Sequence, residues 1–217
     1  MSDLNINWLK ENFLNKNITF FDIGCANLGD TMNFQVGLPD AKFYSFECCN
    51  QHKENNIRLA AELGINYFHC AMTDSTGQSV YYPCDTFNGF NHPDSGSLCK
   101  PNSTTIVSGE FSWGESYIVD TVTLSSFCDL HNVSPDFIHI DVQGAEYKVL
   151  SNMGNRRPIC IWAEICDFDS CYDTNTTYLQ FNELMLSLGY VSIFNSGPDE
   201  LYVLPGSNLT PYYPIKC

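Results

Sequence analysis

The stretch that most restricts how this chain folds is Ile18–Thr31, ITFFDIGCANLGDT. An apolar, β-branched run, Ile18 to Phe21, ends at Asp22. A loop carrying Gly24 and Gly29 follows, and a helix start falls at Asp30 or Thr31. Strand, glycine loop and helix in that order bring backbone close to a nucleotide-like ligand in α/β proteins. The spacing, Asp-x-Gly-x-x-x-x-Gly, is neither the Gly-x-Gly-x-x-Gly fingerprint nor a P-loop, because no Gly-Lys-Ser/Thr follows. The stretch alone admits several ligands, and what ends the later strands decides among them.

The rest of the chain repeats the strand–helix alternation. Residues 5–16 place Ile6, Leu9, Phe13 and Leu14 on one helical face, predicting an amphipathic helix over 4–16 ahead of the first strand. Lys42–Glu47 is a second strand, and a helix from Asn50 stops at Gly64. Ile65–Cys70 is a third strand and Ser79–Tyr82 a short one. Tyr117–Val122, Phe137–Asp141 and Ile159–Glu164 are further strands, with helices at Leu124–His131, Ala145–Met153 and Tyr178–Leu188. Tyr190–Phe194 and Leu201–Leu204 form a closing antiparallel hairpin. The pattern predicts an α/β fold, a three-layer Rossmann-like sheet that is mostly parallel with an antiparallel edge. Residues 85–109, rich in Asn, Gly, Pro and Ser, break the alternation. A loop of that length is either functional or an ordinary surface excursion, and a lid over about 85–116 is the functional reading.

Length and charge narrow the function. A chain of 217 residues predicts one domain over 1–217, with that insertion. A formal net charge of −15 repels phosphate backbones, so neither nucleic acid nor an anionic membrane surface is expected as a partner. Eleven cysteines without a C-x-x-C pair do not form a zinc or disulfide framework. The first residues lack the basic and apolar segments of a secretion signal, and no apolar run reaches the roughly 18 residues of a membrane span. A cytoplasmic protein with reduced thiols is the expectation. Oligomerisation is left open, with the first helix as the candidate interface.

Ligands in open α/β sheets bind beyond the carboxyl ends of the strands. Four strands end there in an acid: Asp22, Glu47, Asp141 and Glu164. Glu47 ends the strand after the glycine loop, where an acid accepts hydrogen bonds from ribose hydroxyls. Asp22 within the glycine motif would repel a pyrophosphate, and the third close-packing glycine of dinucleotide binders is missing. S-adenosylmethionine, with a ribose, an ammonium and a sulfonium, suits both features.

FDIGCANLGDT, FECCN, CAMTDSTG and IHIDVQGAEYKVL resemble the successive motifs of the FkbM-type S-adenosylmethionine-dependent methyltransferases, over roughly Ile18 to Leu204. The resemblance implies a class I methyltransferase sheet of seven strands, the last antiparallel, and O-methylation of a hydroxyl on a sugar, glycan or small metabolite. It assigns Asp22, Gly24, Asn27 and Gly29, with Cys25 beside them, to the cofactor's glycine motif. Glu47, followed by Cys48, is assigned to the ribose, and Ala71, Met72 and Asp74 to the adenine segment. Asp141 is placed at the mouth of the transfer pocket. The chain departs from the family pattern in an extra residue at Cys25-Ala26, in Cys48 and Cys49 where Glu-Pro is common, in His139 for Lys and in Gln143 for Glu.

Methyl transfer to an alcohol needs alignment and a base, or a divalent metal that acidifies the alcohol. Asp141 and Glu164 are candidates for the base or for Mg²⁺ ligands. His139, on the strand face of Asp141, is either a proton relay to it or a satisfied core histidine. Glu146 is read as a complement to its helix N-terminus, His92 as a second base candidate and His69 as structural. Phe87, Phe90 and Trp113 are candidate platforms for a sugar face. Two readings compete with the transferase: an NAD-type oxidoreductase using the same glycine loop, and a catalytically idle cofactor-binding module.

Overall fold

Phe20 and Phe21 are both fully buried, and they point to opposite faces of the same strand. Side chains alternate across a strand, so two adjacent buried phenylalanines require cover on both faces. The structure, a computed structural model, describes residues 4–165 and 171–214. The other residues of the expected 1–217 domain lie outside this description.

In chain order the elements are α1 (Ile6–Phe13), β1 (Thr19–Ile23), α2 (Gly29–Gly37), β2 (Lys42–Phe46), α3 (Asn50–Leu63), β3 (Asn66–Phe68), β4 (Ala71–Met72), β5 (Gly77–Tyr81), β6 (Cys84–Phe87) and β7 (Phe90–Asn91). A 3₁₀ turn at Pro93–Ser95 follows. Then come α4 (Ser103–Ser108), β8 (Phe111–Trp113), β9 (Tyr117–Val122), α5 (Leu124–His131), β10 (Phe137–Ile140), α6 (Glu146–Leu150), β11 (Cys160–Glu164), α7 (Tyr178–Ser187), β12 (Val191–Ser196) and β13 (Asp199–Val203).

Seven strands form the central sheet in the order β12-β13-β11-β10-β1-β2-β3. β13 pairs antiparallel with both β11 and β12, and the other pairings are parallel. The late antiparallel pair is therefore a hairpin at the sheet edge, as expected from sequence, with the chain's last strand on its inner side. β13 inserts between β11 and β12, and β12 becomes the edge. Burial gives the reason: all five residues of β13 are buried, whereas β12 is mostly exposed.

On one face Phe21, Phe46, Ile138 and Ile140 pack with Phe127 of α5 and Phe181 of α7. On the other, Phe20 stacks on Phe137 at 4.7 Å and packs with Phe34 of α2. Trp8, Leu9 and Phe13 of α1 join this second layer. Asn5 caps α1 by accepting from the Asn7 and Trp8 N–H groups. The helix stops at Phe13, short of the expected Lys16, because Leu14 is extended and Asn15 adopts φ +61°. Each of the three buried side chains is worth about 1.5–3 kcal/mol, so α1 is part of the core.

Two smaller sheets sit beyond the carboxyl ends. β4, β9 and β5 form one, and β7, β6 and β8 the other. The segment expected to be a lid loop is thus built, with β6–β8, the 3₁₀ turn and α4. β3 ends at Phe68, and the expected continuation to Cys70 fails because Ala71–Met72 pair instead with Thr121–Val122 of β9.

Candidate cofactor cleft

Gly24 closes the end of β1. Its φ is +85°, and a Cβ there would lie 1.7 Å from the Asp141 carbonyl oxygen. The Asp141 N–H donates to Ile23 O at 2.9 Å and the Gly24 N–H to Phe46 O at 2.9 Å. Three strand ends are thereby laced together, and only glycine fits where β1 meets β10.

The loop beyond it is tied to the next strand. Glu47 accepts from the Ala26 N–H through Oε2 at 3.0 Å and from the Cys49 N–H through Oε1 at 2.7 Å. Ala26, the position of the extra residue, adopts φ +43°, and Leu28 adopts φ +67°. The Gly29 N–H donates to Asn27 Oδ1 at 2.9 Å, and α2 starts there. The longer loop thus folds its surplus residue against Glu47. Burial pushes the Glu47 carboxyl up, against the pull of the backbone N–H groups of Cys49, Cys48 and Ala26. Each oxygen keeps a lone pair for a further donor.

Two adjoining cavities lie over these strand ends. The first encloses about 510 Å³ of empty space, open mouth included. Its walls include Glu47, Cys48, Ala71, Met72, Phe46 and Ile23. The second is lined by Cys25, Ala26, Asn27, Gly29 and Asp30. Gly24, Asp94 and Asp141 belong to both, so the two form one groove with an apolar end and an acidic end. Among the described residues no Lys, Arg or His lines either cavity.

Most of the residues chosen from sequence meet here: Gly24, Cys25, Asn27, Gly29, Glu47, Cys48, Ala71, Met72 and Asp141. Four do not line the groove. Asp22 is fully buried beneath it, accepting from the Thr31 hydroxyl, with His139 Nδ1 2.7 Å from its Oδ1. The register explains the pair, since Asp22 and His139 are direct neighbours on β1 and β10. His139 is accordingly held in the core by Asp22. Asp74 is exposed at the turn after β4 and receives the Thr73 and Ser75 hydroxyls. Glu164, at the end of β11, lines neither cavity but is close enough to act on Asp141. Among the described residues no three His, Cys, Asp or Glu side chains converge as a metal would require.

Asp141 sits at the junction of the groove. Burial first, and then Glu164, push its carboxyl well up, while Gln143 Nε2 donates to its Oδ1 at 2.6 Å. Gln143 and Gly144 take φ +55° and +98°, a turn that Glu146 clamps. Glu146 Oε1 accepts from the Val142 and Gly144 N–H groups, both at 3.1 Å. This carboxylate therefore organises the Asp141 loop, beyond the helix-end role expected of it.

Sequence reading missed Asp94 and His52. Asp94 arrives from the 3₁₀ turn, with His52 Nε2 of α3 2.8 Å from its Oδ1. No spacing in the chain pairs residues 42 positions apart, and only the docking of the insertion does so. His92, the base candidate from the same segment, lies against Phe87 and lines neither cavity. His69 approaches Tyr67 and Asn50 at 3.2 Å each.

The strand order and the internal antiparallel β13 define the Rossmann-like sheet of a class I S-adenosylmethionine-dependent methyltransferase. The methyltransferase FkbM domain model matches residues 22–192, and the chain belongs to that family. No curated protein sequence matches it. Among solved structures it is similar to a precorrin-6y C5,15-methyltransferase from Geobacter metallireducens, at 11% identity and TM-score 0.45, covering 91% of this chain and 84% of that one. A SAM-dependent methyltransferase from Aquifex aeolicus gives 11% identity and TM-score 0.43, covering 91% and 86%. An O-methyltransferase family protein from Burkholderia thailandensis gives 8% and 0.47, covering 91% and 54%. Likenesses this distant add nothing to the family match.

Proposed function

We propose that this chain moves the methyl group of S-adenosylmethionine to a hydroxyl oxygen of a sugar or small metabolite in the cytoplasm. One observation carries the cofactor choice: a groove with Glu47 at one end, Asp30 at the other and Asp94 and Asp141 where the two ends join, and no basic side chain on its walls among the described residues. A dinucleotide would set its pyrophosphate against those carboxylates, which repel it. A ligand with a ribose and a cationic tail fits the same walls.

When bound, S-adenosylmethionine supplies an electrophilic methyl carbon on a positively charged sulfur. Glu47 would accept from the ribose hydroxyls, with Met72, Ala71 and Phe46 bounding the apolar end. The start of α2, with the N–H groups of its first turn, suits the methionine carboxylate. Asp141 would take the proton from the acceptor hydroxyl as its oxygen attacks the methyl carbon. A carboxyl pushed up by burial is better matched to that task than an exposed one. Glu164 acts as a positioning residue through its charge on Asp141. The same two acids would be the oxygen ligands if Mg²⁺ takes part.

The acceptor class draws support from the insertion. Tyr82, Phe111 and Trp113, with Ile106 and Lys100, line an open groove there, and aromatic faces beside a cation suit a polar sugar. The charge of −15 favours a small acceptor over RNA. Calorimetry on the full chain should give binding for S-adenosylmethionine and none for NAD; NAD binding alone would overturn the transferase reading. With an acceptor found by mass gain of one methyl group, Asp141→Asn should lower kcat by roughly 10²–10⁴-fold. Turnover by that variant at the parent rate would remove Asp141 as the base. Cofactor binding with no methylated product from any acceptor would favour the idle module.

A further inference from the structure

The turn Pro93–Ser95 is held over the groove from three sides. Tyr82 and Ser97 exchange backbone hydrogen bonds at 2.8 and 3.0 Å. The Ser97 hydroxyl donates to Gln143 O at 2.7 Å, in the loop after β10. The Tyr172 hydroxyl donates to Ser95 O at 2.6 Å. From α3, His52, only 8% exposed, sets Nε2 2.8 Å from Asp94 Oδ1. This imidazole also feels Glu47, so it stands between the ribose acid and the insertion. Asp94 is the one residue of the insertion that lines both cavities. It does so beside Gly24 and Asp141, where the adenosyl half and the methionine half of the cofactor would join at its sulfur.

We infer that Asp94 is a cofactor-binding residue contributed by the insertion, whose carboxylate faces the sulfur and discriminates the cationic sulfonium from the neutral thioether left after transfer. This rests on the cofactor assignment proposed above. The His52 imidazole beside the carboxylate favours its ionised form, and Asp94 lies below the usual carboxylate range because of it. The consequence is a turn held more firmly over S-adenosylmethionine than over S-adenosylhomocysteine. Both ligands carry the same ammonium and carboxylate, so comparing them isolates the charge on sulfur. A ligand can bias the turn only through such a difference in affinity.

The test is calorimetry of both ligands on the full chain and on Asp94→Asn, Asp94→Glu and His52→Gln. Asp94→Asn should weaken S-adenosylmethionine by about 10-fold, in the range of ordinary coupling between sites, and S-adenosylhomocysteine by less than about 2-fold. Asp94→Glu should keep the discrimination. His52→Gln should lose part of it, because the charge stays while its hold goes. Amide exchange over residues 93–98 should slow more with S-adenosylmethionine than with the product in the parent, and equally in Asp94→Asn. Equal weakening of both ligands, or weakening of neither, would overturn the inference while leaving the cofactor assignment standing. If the parent binds neither ligand, both fall.

Discussion

His139 Nδ1 lies 2.7 Å from Asp22 Oδ1 across the β1–β10 pairing, with both side chains sealed from solvent. Burial opposes a charged imidazole there, but Asp22, with Asp30 and Asp141 behind it, outweighs burial and lifts His139 to about 9. A pKa raised on folding stabilises the folded chain fully below the unfolded value near 6.5, and that contribution is lost as pH rises through about 9. Across that window the pair should lose about 3 kcal/mol. Urea unfolding at a series of pH values should show the parent's advantage over His139→Gln shrinking by that amount between pH 6.5 and 9. A constant gap would mean that His139 is neutral in the fold.

Glu146 has the opposite starting charge but the same sign. Burial pushes its carboxyl up to about 7 despite the backbone donors of the Asp141 loop. The protonated form is the one that folds best, so its contribution is present below about 4.5 and lost as pH rises through about 7. Glu146→Gln keeps a carbonyl oxygen for the Val142 and Gly144 N–H groups and does not titrate. The stability of the parent relative to this variant should fall by about 3 kcal/mol between pH 4.5 and 7.5. No change in the difference would place the Glu146 titration elsewhere.

Two glycines separate conformational strain from collision. Gly109 has φ +71° and open space where a Cβ would go, so Gly109→Ala should cost roughly 1–2 kcal/mol. Gly24 has φ +85° and the Asp141 carbonyl 1.7 Å from that position. Gly24→Ala should therefore cost at least about 4 kcal/mol and abolish cofactor binding, since β1 and β10 must part. Thermal melts and calorimetry of the two variants read both effects. Similar costs at the two sites would contradict the close approach.

Glu47→Gln tests the ribose assignment. Hydrogen bonds to a charged group are worth about 1.5–3 kcal/mol, so S-adenosylmethionine should bind about 10–100-fold more weakly. The amide oxygen can still accept one of the two backbone donors, so the fold should persist in circular dichroism. A change below about 2-fold would take Glu47 out of the cofactor site.

The sheet was legible because both of its faces are covered: Phe20-Phe21, Phe43 and Phe46, and Phe137 through Ile140 read as buried strands from composition alone. The acids that end those strands were legible for the same reason. An apolar strand must stop where it meets solvent, and Asp22, Glu47, Asp141 and Glu164 mark those stops. Their roles were not. Asp22 and Asp141 look alike in sequence, yet one pairs with His139 under the sheet and the other opens into the groove. That difference follows from side-chain direction and from Gly24, which draws the two strand ends together. The sequence by itself determined the order of elements, the glycine loop and the residue types at the strand ends, because these rest on local periodicity and turn chemistry. Only the tertiary structure decided that β13 would slip between β11 and β12, that Ala26 would fold onto Glu47, and that an insertion would deliver Asp94 to His52. Each of these joins groups far apart in the chain, and packing, not spacing, brings them together.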